Sequence, residues 1–116
     1  MTQTFVLQGR PPTVNHYWLA SGKRRFISDR GRQWKLDTFI ALSKSGVVKQ
    51  SSDVELRVTL LFAKKNYGDV DNYLKAILDS LIGVVYDDDK QVRKLVVERV
   101  FDKQEQEKVI LTVKSL

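Results

Sequence analysis

Two groups of acidic residues stand out in the sequence, because carboxylates that lie close together can hold a metal ion. Asp69 and Asp71 form the first group, with Lys75 four residues further on, and the run 87–89 forms the second. Oxygen ligands suit hard cations such as Mg²⁺ or Mn²⁺, which activate water and stabilise negative charge on a phosphate. A lysine beside them adds positive charge where that negative charge develops. These residue types match the composition of a metal-dependent nuclease site.

The same residues also have an ordinary structural explanation. Asp71 and Asn72 are common helix-capping residues. The spacings from Asp71 to Lys75 and from Lys75 to Asp79 suit surface ion pairs, each worth about 0.2–0.5 kcal/mol. The run 87–89 suits a solvated turn. Residue types alone therefore leave this explanation and the metal site about equally weighted.

A calcium-binding EF-hand loop is excluded by spacing. Such a loop requires glycine at its sixth position. Counted from Asp69, that position is Leu74, and counted from Asp87 it is Val92. Neither acidic group is therefore an EF-hand.

Composition indicates an intracellular protein, and its charge alone makes nucleic-acid binding about as probable as a basic protein without a nucleic-acid partner. The 116 residues carry a net charge of +6 and no cysteine, so disulfides and thiolate metal sites are excluded. Basic proteins attract nucleic acids, because phosphate binding releases counterions. No stretch approaches the roughly 20 apolar residues of a membrane span, and the first residues do not resemble a signal peptide. We expect a cytoplasmic protein that does not enter a membrane.

The elements that position the acids follow from the spacing of apolar residues. Alternation from Val54 to Phe62 predicts a strand, and apolar residues at helical spacing predict a helix from about Asp71 to Ile82. An extended chain at Asp69 would direct both carboxylates of the first group to one side. The predicted order is strand 4–7, loop 13–27, a helix capped by Ser28 or Asp29 and stopped at Gly46, strand 54–62, helix 71–82, a short apolar strand 84–86, and strands 92–101 and 109–113. This order predicts one α+β domain over residues 1–116, a mixed sheet of about four strands packed with two helices.

Two groups of cations are candidates for DNA contacts. Lys23, Arg24 and Arg25 occupy a turn in the loop 13–27, where a cationic tip can reach a phosphate. Lys64 and Lys65 shortly precede the first acids and could bring the DNA backbone to them. A solvated turn is the alternative for the first group.

Several aromatic residues could contribute to binding or to the core. Tyr17, Trp18 and Phe26 flank the cationic turn and could stack on unpaired bases. Core packing is the more common role of such residues, and we expect it for Trp34 and Phe62.

Four short motifs occur in order over nearly the whole chain. They are Pro11-Pro12-Thr13-Val14-Asn15, the basic loop Lys23-Arg24-Arg25 running into Ile27-Ser28, Asp69-Val70-Asp71-Asn72 with Lys75 and Asp79, and Asp88-Asp89-Lys90-Gln91-Val92. This set resembles the RusA-type Holliday junction resolvases. The Asp-x-Asp-Asn motif alone is weak, but the ordered set at these spacings is fairly specific.

The resemblance implies a homodimeric, Mg²⁺-dependent endonuclease that resolves four-way DNA junctions by paired nicks during recombination and repair. It implies a bacterial or phage-encoded protein. It assigns catalysis to Asp69, Asp71, Asp89 and Lys75, with the three aspartates as ligands of one or two Mg²⁺ ions. Mn²⁺ is the expected substitute for Mg²⁺.

Three other functions fit the same residues. The enzyme could cut flaps or other branched DNA in place of four-way junctions. A non-catalytic DNA-binding module would use the acids only for caps and ion pairs. A protein-interaction domain would direct its basic surface at an acidic partner. The catalytic interpretation requires that Asp89 approach the Asp69–Asp71 pair, which the sequence does not decide.

Overall fold

The order of elements in the computed structural model, which describes residues 1–63, 68–101 and 106–116, largely follows the predicted order. The elements are β1 (Thr2–Gln8), α1 (Val14–Tyr17), β2 (Trp18–Ser21), β3 (Arg24–Ile27), α2 (Asp29–Lys44), β4 (Val54–Phe62), a first 3₁₀ helix (Val70–Tyr73), α3 (Leu74–Leu81), a second 3₁₀ helix (Asp89–Gln91), β5 (Val92–Phe101) and β6 (Lys108–Ser115). They confirm the predicted α+β class with a mixed sheet of four strands.

The four-stranded sheet has the order β1-β6-β4-β5. β6 pairs antiparallel with β1 and β4, whereas β5 runs parallel to β4. The apolar residues of β4 alternate onto one buried face, where each is at most 1% exposed: Val54, Leu56, Val58, Leu60 and Phe62. The bounds predicted for β4 and β5 are those observed, because alternation is a local property of the sequence.

The acidic groups lie on the crossover that joins the parallel strands β4 and β5. Parallel neighbours require such a connection, usually a helix, and here the helix is α3. Asp69 precedes α3 and Asp89 follows it. Because the two strands are parallel, the crossover starts at one end of the sheet and finishes at the other.

Helix α2 begins and ends as its sequence signals predict. The Ser28 side chain caps it by accepting a 3.0 Å hydrogen bond from the Gly31 amide. The helix ends at Lys44, two residues before Gly46, whose φ of +72° suits a helix terminus. Trp34 is buried in the core, as predicted. None of the helices in the described part of the chain is long and apolar enough to cross a membrane.

The segment 13–27, predicted to be a loop, is instead α1 followed by a β-hairpin. The strands β2 and β3 pair from Trp18 with Ile27 to Ser21 with Arg24. The turn between them contains Gly22, whose φ of +62° is the left-handed conformation that two-residue hairpin turns favour. The prediction was wrong because strands of four residues carry almost no alternating pattern.

The segment 84–86, predicted to be a short strand, is a turn folded back against α3. The Val85 amide donates to the Leu81 carbonyl at 2.9 Å. The Tyr86 ring is buried, and its hydroxyl group donates to the Leu78 carbonyl at 2.9 Å. The apolar residues are therefore buried by a turn rather than by pairing along a strand.

Candidate active site

Asp71, Lys75 and Asp79 lie along one side of a continuous helical segment. The first 3₁₀ helix contains Asp71 and runs directly into α3, and residues four apart on a helix are neighbours. The Nζ atom of Lys75 lies 3.2 Å from Oδ1 of Asp79, and the lysine side chain is 42% exposed. The carboxylate of Asp79 thus holds the lysine, which remains accessible to an anion from solution.

The first acidic group does not cap a helix. Asp69 occupies the N-cap position of the first 3₁₀ helix but makes no side-chain capping bond, and the residue before α3 is Tyr73. Asp69 has an extended backbone but Asp71 lies inside the 3₁₀ helix, so the condition under which both carboxylates would point to one side is not met. Both carboxylates are exposed. The capping explanation therefore fails for these two residues.

The three consecutive acids before β5 have different surroundings. Asp87 forms a 2.7 Å ion pair with Lys49. Asp88 caps the second 3₁₀ helix by accepting a 2.9 Å hydrogen bond from the Lys90 amide, and this bond holds the pKa of Asp88 below its ordinary value. Asp89 forms no salt bridge with any residue that the structure describes. Its surroundings thus distinguish Asp89 from its two neighbours.

Asp89 lies in the electrostatic field of α3. Burial raises the pKa of Asp89, a hydrogen bond with Asp88 and the negative charges of Asp88 and Asp79 raise it further, and Lys75 lowers it. Burial also raises the pKa of Tyr86, with Asp89 and Asp79 adding to the effect. The fold therefore brings Asp89 close to Lys75 and Asp79, and we call these three residues the Lys75 cluster.

Asp69 and Asp71 lie toward the other end of the helical segment. Asp71 precedes Asp79 by eight residues, a distance of about 12 Å along a helix. In the ranges that the structure describes, no group of three or more His, Cys, Asp or Glu side chains is arranged so that it could hold a metal ion. Metal binding by Asp69, Asp71 and Asp89 together stays a prediction.

The donor chemistry of these acids nevertheless suits a hard divalent cation. Their ligand atoms are all oxygen, the type that Mg²⁺ prefers. The raised pKa of Asp89 means that its negative charge is incompletely compensated. Asp69 and Asp71 are exposed, so their side chains are free to rotate toward a ligand. A bound cation would relieve the repulsion between these carboxylates.

Trp18 connects the basic hairpin with the Lys75 cluster. Lys75 Nζ lies 5.6 Å from the centroid of the Trp18 ring, and the guanidinium carbon of Arg25 lies 4.7 Å from it. Both distances are within the range of cation–π attraction. The sequence carried no signal for this contact, because Trp18 and Lys75 are distant in the chain and belong to different elements.

Tyr17 is fully buried, so of the two roles considered for its ring it has core packing and not stacking on DNA bases. Its hydroxyl group forms no hydrogen bond of good geometry within the described residues. It still lies near Asp79, because burial first and the charge of Asp79 second raise the pKa of Tyr17. Phe26 is 41% exposed and Trp18 is partly exposed, so those two rings can reach a ligand.

The cations proposed for DNA contact lie on the hairpin. Lys23, Arg24 and Arg25 are all exposed there. Lys64 and Lys65 fall outside the described residues. A further cation, Arg99 of β5, donates a hydrogen bond to the Gly68 carbonyl and so ties the segment before Asp69 to the sheet. Nothing in the sequence indicated that contact.

Comparison with known proteins gives two matches. The family model described as endodeoxyribonuclease RusA matches residues 8–114. A protein of Enterobacteria phage HK97, named crossover junction endodeoxyribonuclease rusA, is 33% identical over 84 residues, which cover 70% of this chain and 69% of the phage protein. The family match spans the hairpin, the helical segment and the second acidic group.

Proposed function

The chain belongs to the RusA family of endodeoxyribonucleases, and from this premise we propose that it resolves four-way DNA junctions by paired, Mg²⁺-dependent nicks in the cytoplasm. The observation that carries the proposal is the approach of Asp89, in the second 3₁₀ helix, to Lys75 and Asp79 of α3. Family membership decides against the non-catalytic binding module and the protein-interaction domain.

Asp69, Asp71 and Asp89 would hold the ion in this proposal. When bound, Mg²⁺ supplies activation of water and stabilisation of charge on the phosphate. No three acids among the described residues converge as they stand, so the exposed side chains of Asp69 and Asp71 must turn toward Asp89. The incompletely compensated charge of Asp89 favours that rearrangement.

Lys75 acts on the reacting phosphate, on which negative charge develops in the transition state. Its ammonium group donates to a phosphate oxygen or to the leaving oxygen, where positive charge lowers the barrier. Asp79 and Trp18 are positioning residues. Oδ1 of Asp79 lies 3.2 Å from Lys75 Nζ, and the centroid of the Trp18 ring lies 5.6 Å from the same atom. They restrict the lysine to the side of α3 that also faces Asp89.

The hairpin binds the DNA backbone near the reacting phosphate. Lys23, Arg24 and Arg25 are exposed cations, and Arg25 lies over the same ring as Lys75. Lys64 and Lys65 are proposed to contact DNA because they shortly precede the first acids in the sequence. A homodimer completes the proposal, since a four-way junction offers two strands to nick and a two-fold dimer has one site for each.

The test is cleavage of a synthetic four-way junction with and without Mg²⁺. We expect EDTA to abolish cleavage, and Asp71→Asn to lose cleavage while it keeps junction binding. Asp53→Asn, a matched change of an exposed aspartate outside the site, should cleave normally. Full cleavage by Asp71→Asn would contradict the assignment of Asp71 as a metal ligand.

The same assay decides which branched DNA is the substrate. We expect faster cleavage of the four-way junction than of a flap or a linear duplex at equal concentration. The result expected for the junction is two nicks at symmetrical positions in opposing strands. Faster cleavage of the flap would contradict junction resolution and indicate a flap endonuclease. It would not contradict the metal-dependent chemistry.

A further inference from the structure

An open depression of about 230 Å³ lies beside the ring of Trp18, where helix α1 meets the β2–β3 hairpin. It is lined by Val14, Asn15, Trp18, Leu19, Ala20 and Arg25. Sites that enclose a whole small-molecule ligand measure about 300–1,000 Å³, so this depression suits a smaller group. Among the described residues, no aspartate of the candidate site lines it. Metal binding by the acids therefore does not explain it.

Three lining residues share the face of the hairpin that approaches Lys75. Trp18 and Ala20 are two apart in β2 and so lie on one face. Arg25 lies on the same face, because it pairs directly with Ala20 across the hairpin. The centroid of the Trp18 ring is 5.6 Å from Lys75 Nζ. A group bound in the depression therefore lies next to the group that Lys75 contacts.

Trp18 and Arg25 provide flat surfaces for a planar ligand. The guanidinium carbon of Arg25 lies 4.7 Å from the centroid of the Trp18 ring, and Arg25 is exposed. The buried ring of Tyr17 packs against the indole at a centroid distance of 5.2 Å and an angle of 88° between the ring planes, which holds the indole in place. Proteins stack unpaired bases on aromatic rings and on guanidinium planes.

The remaining walls favour a base over a phosphate. Val14, Leu19 and Ala20 are apolar, and Leu19 is 47% exposed. Of the six described residues that line the depression, Arg25 alone is charged. A phosphate requires cations rather than apolar walls, whereas a base is planar and can contact both kinds of surface.

Asn15 supplies an amide group at the depression. It is exposed, and its side chain forms no hydrogen bond with any residue that the structure describes. The neighbouring His16 differs, since its ring shares a 3.0 Å hydrogen bond with Thr13. An amide side chain both donates and accepts hydrogen bonds, which matches the donor and acceptor on the edge of a base.

We propose that the depression binds one nucleobase of the substrate DNA, stacked against Trp18 and Arg25 and hydrogen-bonded along its edge to Asn15. The base belongs to a nucleotide beside the phosphate that Lys75 contacts, because only a sugar separates a phosphate from its base. This inference rests on the proposed function for the position of that phosphate, and it adds a base-binding site next to it.

The origin of the bound base follows from the energetics of unstacking. A base must leave the helical stack before it enters the depression. That step is unfavourable inside a duplex and least unfavourable for a base that is unpaired or mismatched. The stack is interrupted at the branch point of a four-way junction, so a base is released more readily there. The depression therefore favours branched DNA, and Asn15 makes affinity depend on the base at the branch point.

Binding of a four-way junction in EDTA tests the site without any need for cleavage. Each nucleotide near the branch point is replaced in turn by an abasic analogue, and the dissociation constant is measured by fluorescence anisotropy. We expect removal of one particular base to raise the constant about fivefold or more, the effect of losing one stacked base. The same replacement in a linear duplex should change it by less than about twofold, because the base stays in the stack.

Trp18→Leu identifies the side chain that holds this base. The variant also loses the contact with Lys75, so the comparison is between two DNA molecules and not between two affinities for one. Intact and abasic junctions should bind Trp18→Leu within about twofold of one another, because the stacked pair is already lost. Phe39→Leu changes an exposed aromatic residue of α2 outside the depression and should keep the fivefold difference.

Asn15→Ala tests recognition of the base edge at an exposed position outside the core. Four junctions that differ only in the base pair at the identified position should bind wild type with dissociation constants spread about fivefold or more. Asn15→Ala should reduce this spread to within about twofold. Gln33→Ala removes an exposed amide of α2 that does not line the depression, and it should keep the wild-type spread.

Several outcomes would overturn the inference. These are a wild type that no abasic replacement weakens, an equal effect in linear duplex, an abasic effect that survives in Trp18→Leu, and a base preference that is absent from wild type or survives in Asn15→Ala. Loss of the abasic effect in Phe26→Leu but not in Trp18→Leu would place the base on a different ring and overturn it as well.

Cleavage with Mg²⁺, measured in parallel, separates this inference from the proposed function. Coupling between Trp18 and one base without any cleavage would contradict the function alone. Cleavage of the junction without that coupling would contradict the base-binding site alone.

Discussion

Lys75 is the residue at which the contacts of the candidate site meet. Its Nζ atom lies 3.2 Å from the Asp79 carboxylate and 5.6 Å from the centroid of the Trp18 ring. A partly exposed ion pair stabilises a fold by about 0–1 kcal/mol, and an exposed cation–π contact adds about 0.5–1 kcal/mol. These contacts add little to the free energy of unfolding. Their main consequence is to limit the positions that Lys75 occupies.

We expect Asp79→Asn to lower kcat for junction cleavage about tenfold, which corresponds to about 1.4 kcal/mol of barrier. KM should change by less than about twofold, because the variant loosens Lys75 without removing a DNA contact. Single-turnover kinetics at several junction concentrations separate the two quantities. Asp29→Asn, which removes the exposed ion pair with Arg32, serves as the control. A wild-type kcat for Asp79→Asn would contradict the positioning role.

Asp89 predicts a dependence of stability on pH. Its pKa is raised in the folded protein above the ordinary 3.8, so folding disfavours the ionised form. Its contribution is complete below about pH 4 and is lost as the pH rises through the folded pKa. In metal-free buffer, Asp89→Asn should therefore have a higher Tm than wild type at pH 7, and the gain should disappear below about pH 4.

Thermal melts from acid to neutral pH, with and without Mg²⁺, measure this effect of Asp89. Added Mg²⁺ should raise the Tm of wild type more than that of Asp89→Asn, because a ligand stabilises the state that binds it. A lower Tm for the variant at pH 7 without Mg²⁺ would show that the charge of Asp89 is well compensated in the fold.

At the scale of elements, the crossover from β4 to β5 and the β2–β3 hairpin meet beside α3. The crossover carries the acids and the hairpin carries the cations. Gly31 permits close approach of α2 to α1 and β3, because a Cβ atom there would lie 2.7 Å from Cγ2 of Ile27 and 3.1 Å from the carbonyl oxygen of Tyr17. The position of the hairpin relative to α2 therefore depends on the absence of a side chain at Gly31.

Gly31→Ala should lower the free energy of unfolding by about 1–3 kcal/mol through overpacking. An alanine in a helix interior normally stabilises relative to glycine by about 1 kcal/mol, so the sign of the change is informative. Ser43→Ala, at an exposed position of the same helix, should be nearly neutral. Urea unfolding measures both variants. A stabilised Gly31→Ala would mean that α2 can shift away from Ile27 without cost.

At the scale of the whole molecule, cationic and apolar side chains are exposed on different surfaces. The net charge of +6 attracts DNA, and the exposed cations of the hairpin lie next to the acids through Trp18. The face between β1 and α2 carries apolar side chains and the opposite charges of Asp37 and Lys44 instead. The exposed cations of the hairpin and the exposed apolar side chains of α2 are therefore carried by different elements of the protein.

Salt titrations of junction binding should detect the hairpin contacts. Each cation that neutralises a phosphate adds about one unit to the slope of log affinity against log salt. Arg24→Ala should reduce that slope by about one. Arg57→Ala, which removes a cation paired with Glu55 on the open face of the sheet, should not change it. An unchanged slope for Arg24→Ala would remove that residue from the DNA contacts.

Much of this protein was determined by short-range features of its sequence. The alternation in β4, the Ser28 cap of α2 and the ordered acidic motifs each depend on residues a few positions apart, so each was predicted correctly or led to the family. Only the tertiary structure decided that Asp89 approaches Asp79, that Trp18 lies beside Lys75 and that the segment 13–27 pairs as a hairpin. The hairpin is local, but its four-residue strands carry almost no alternating pattern. The first two contacts join residues of different elements, and their distances depend on how α1, α3 and the second 3₁₀ helix pack together. Spacing along the sequence carries no information about that packing.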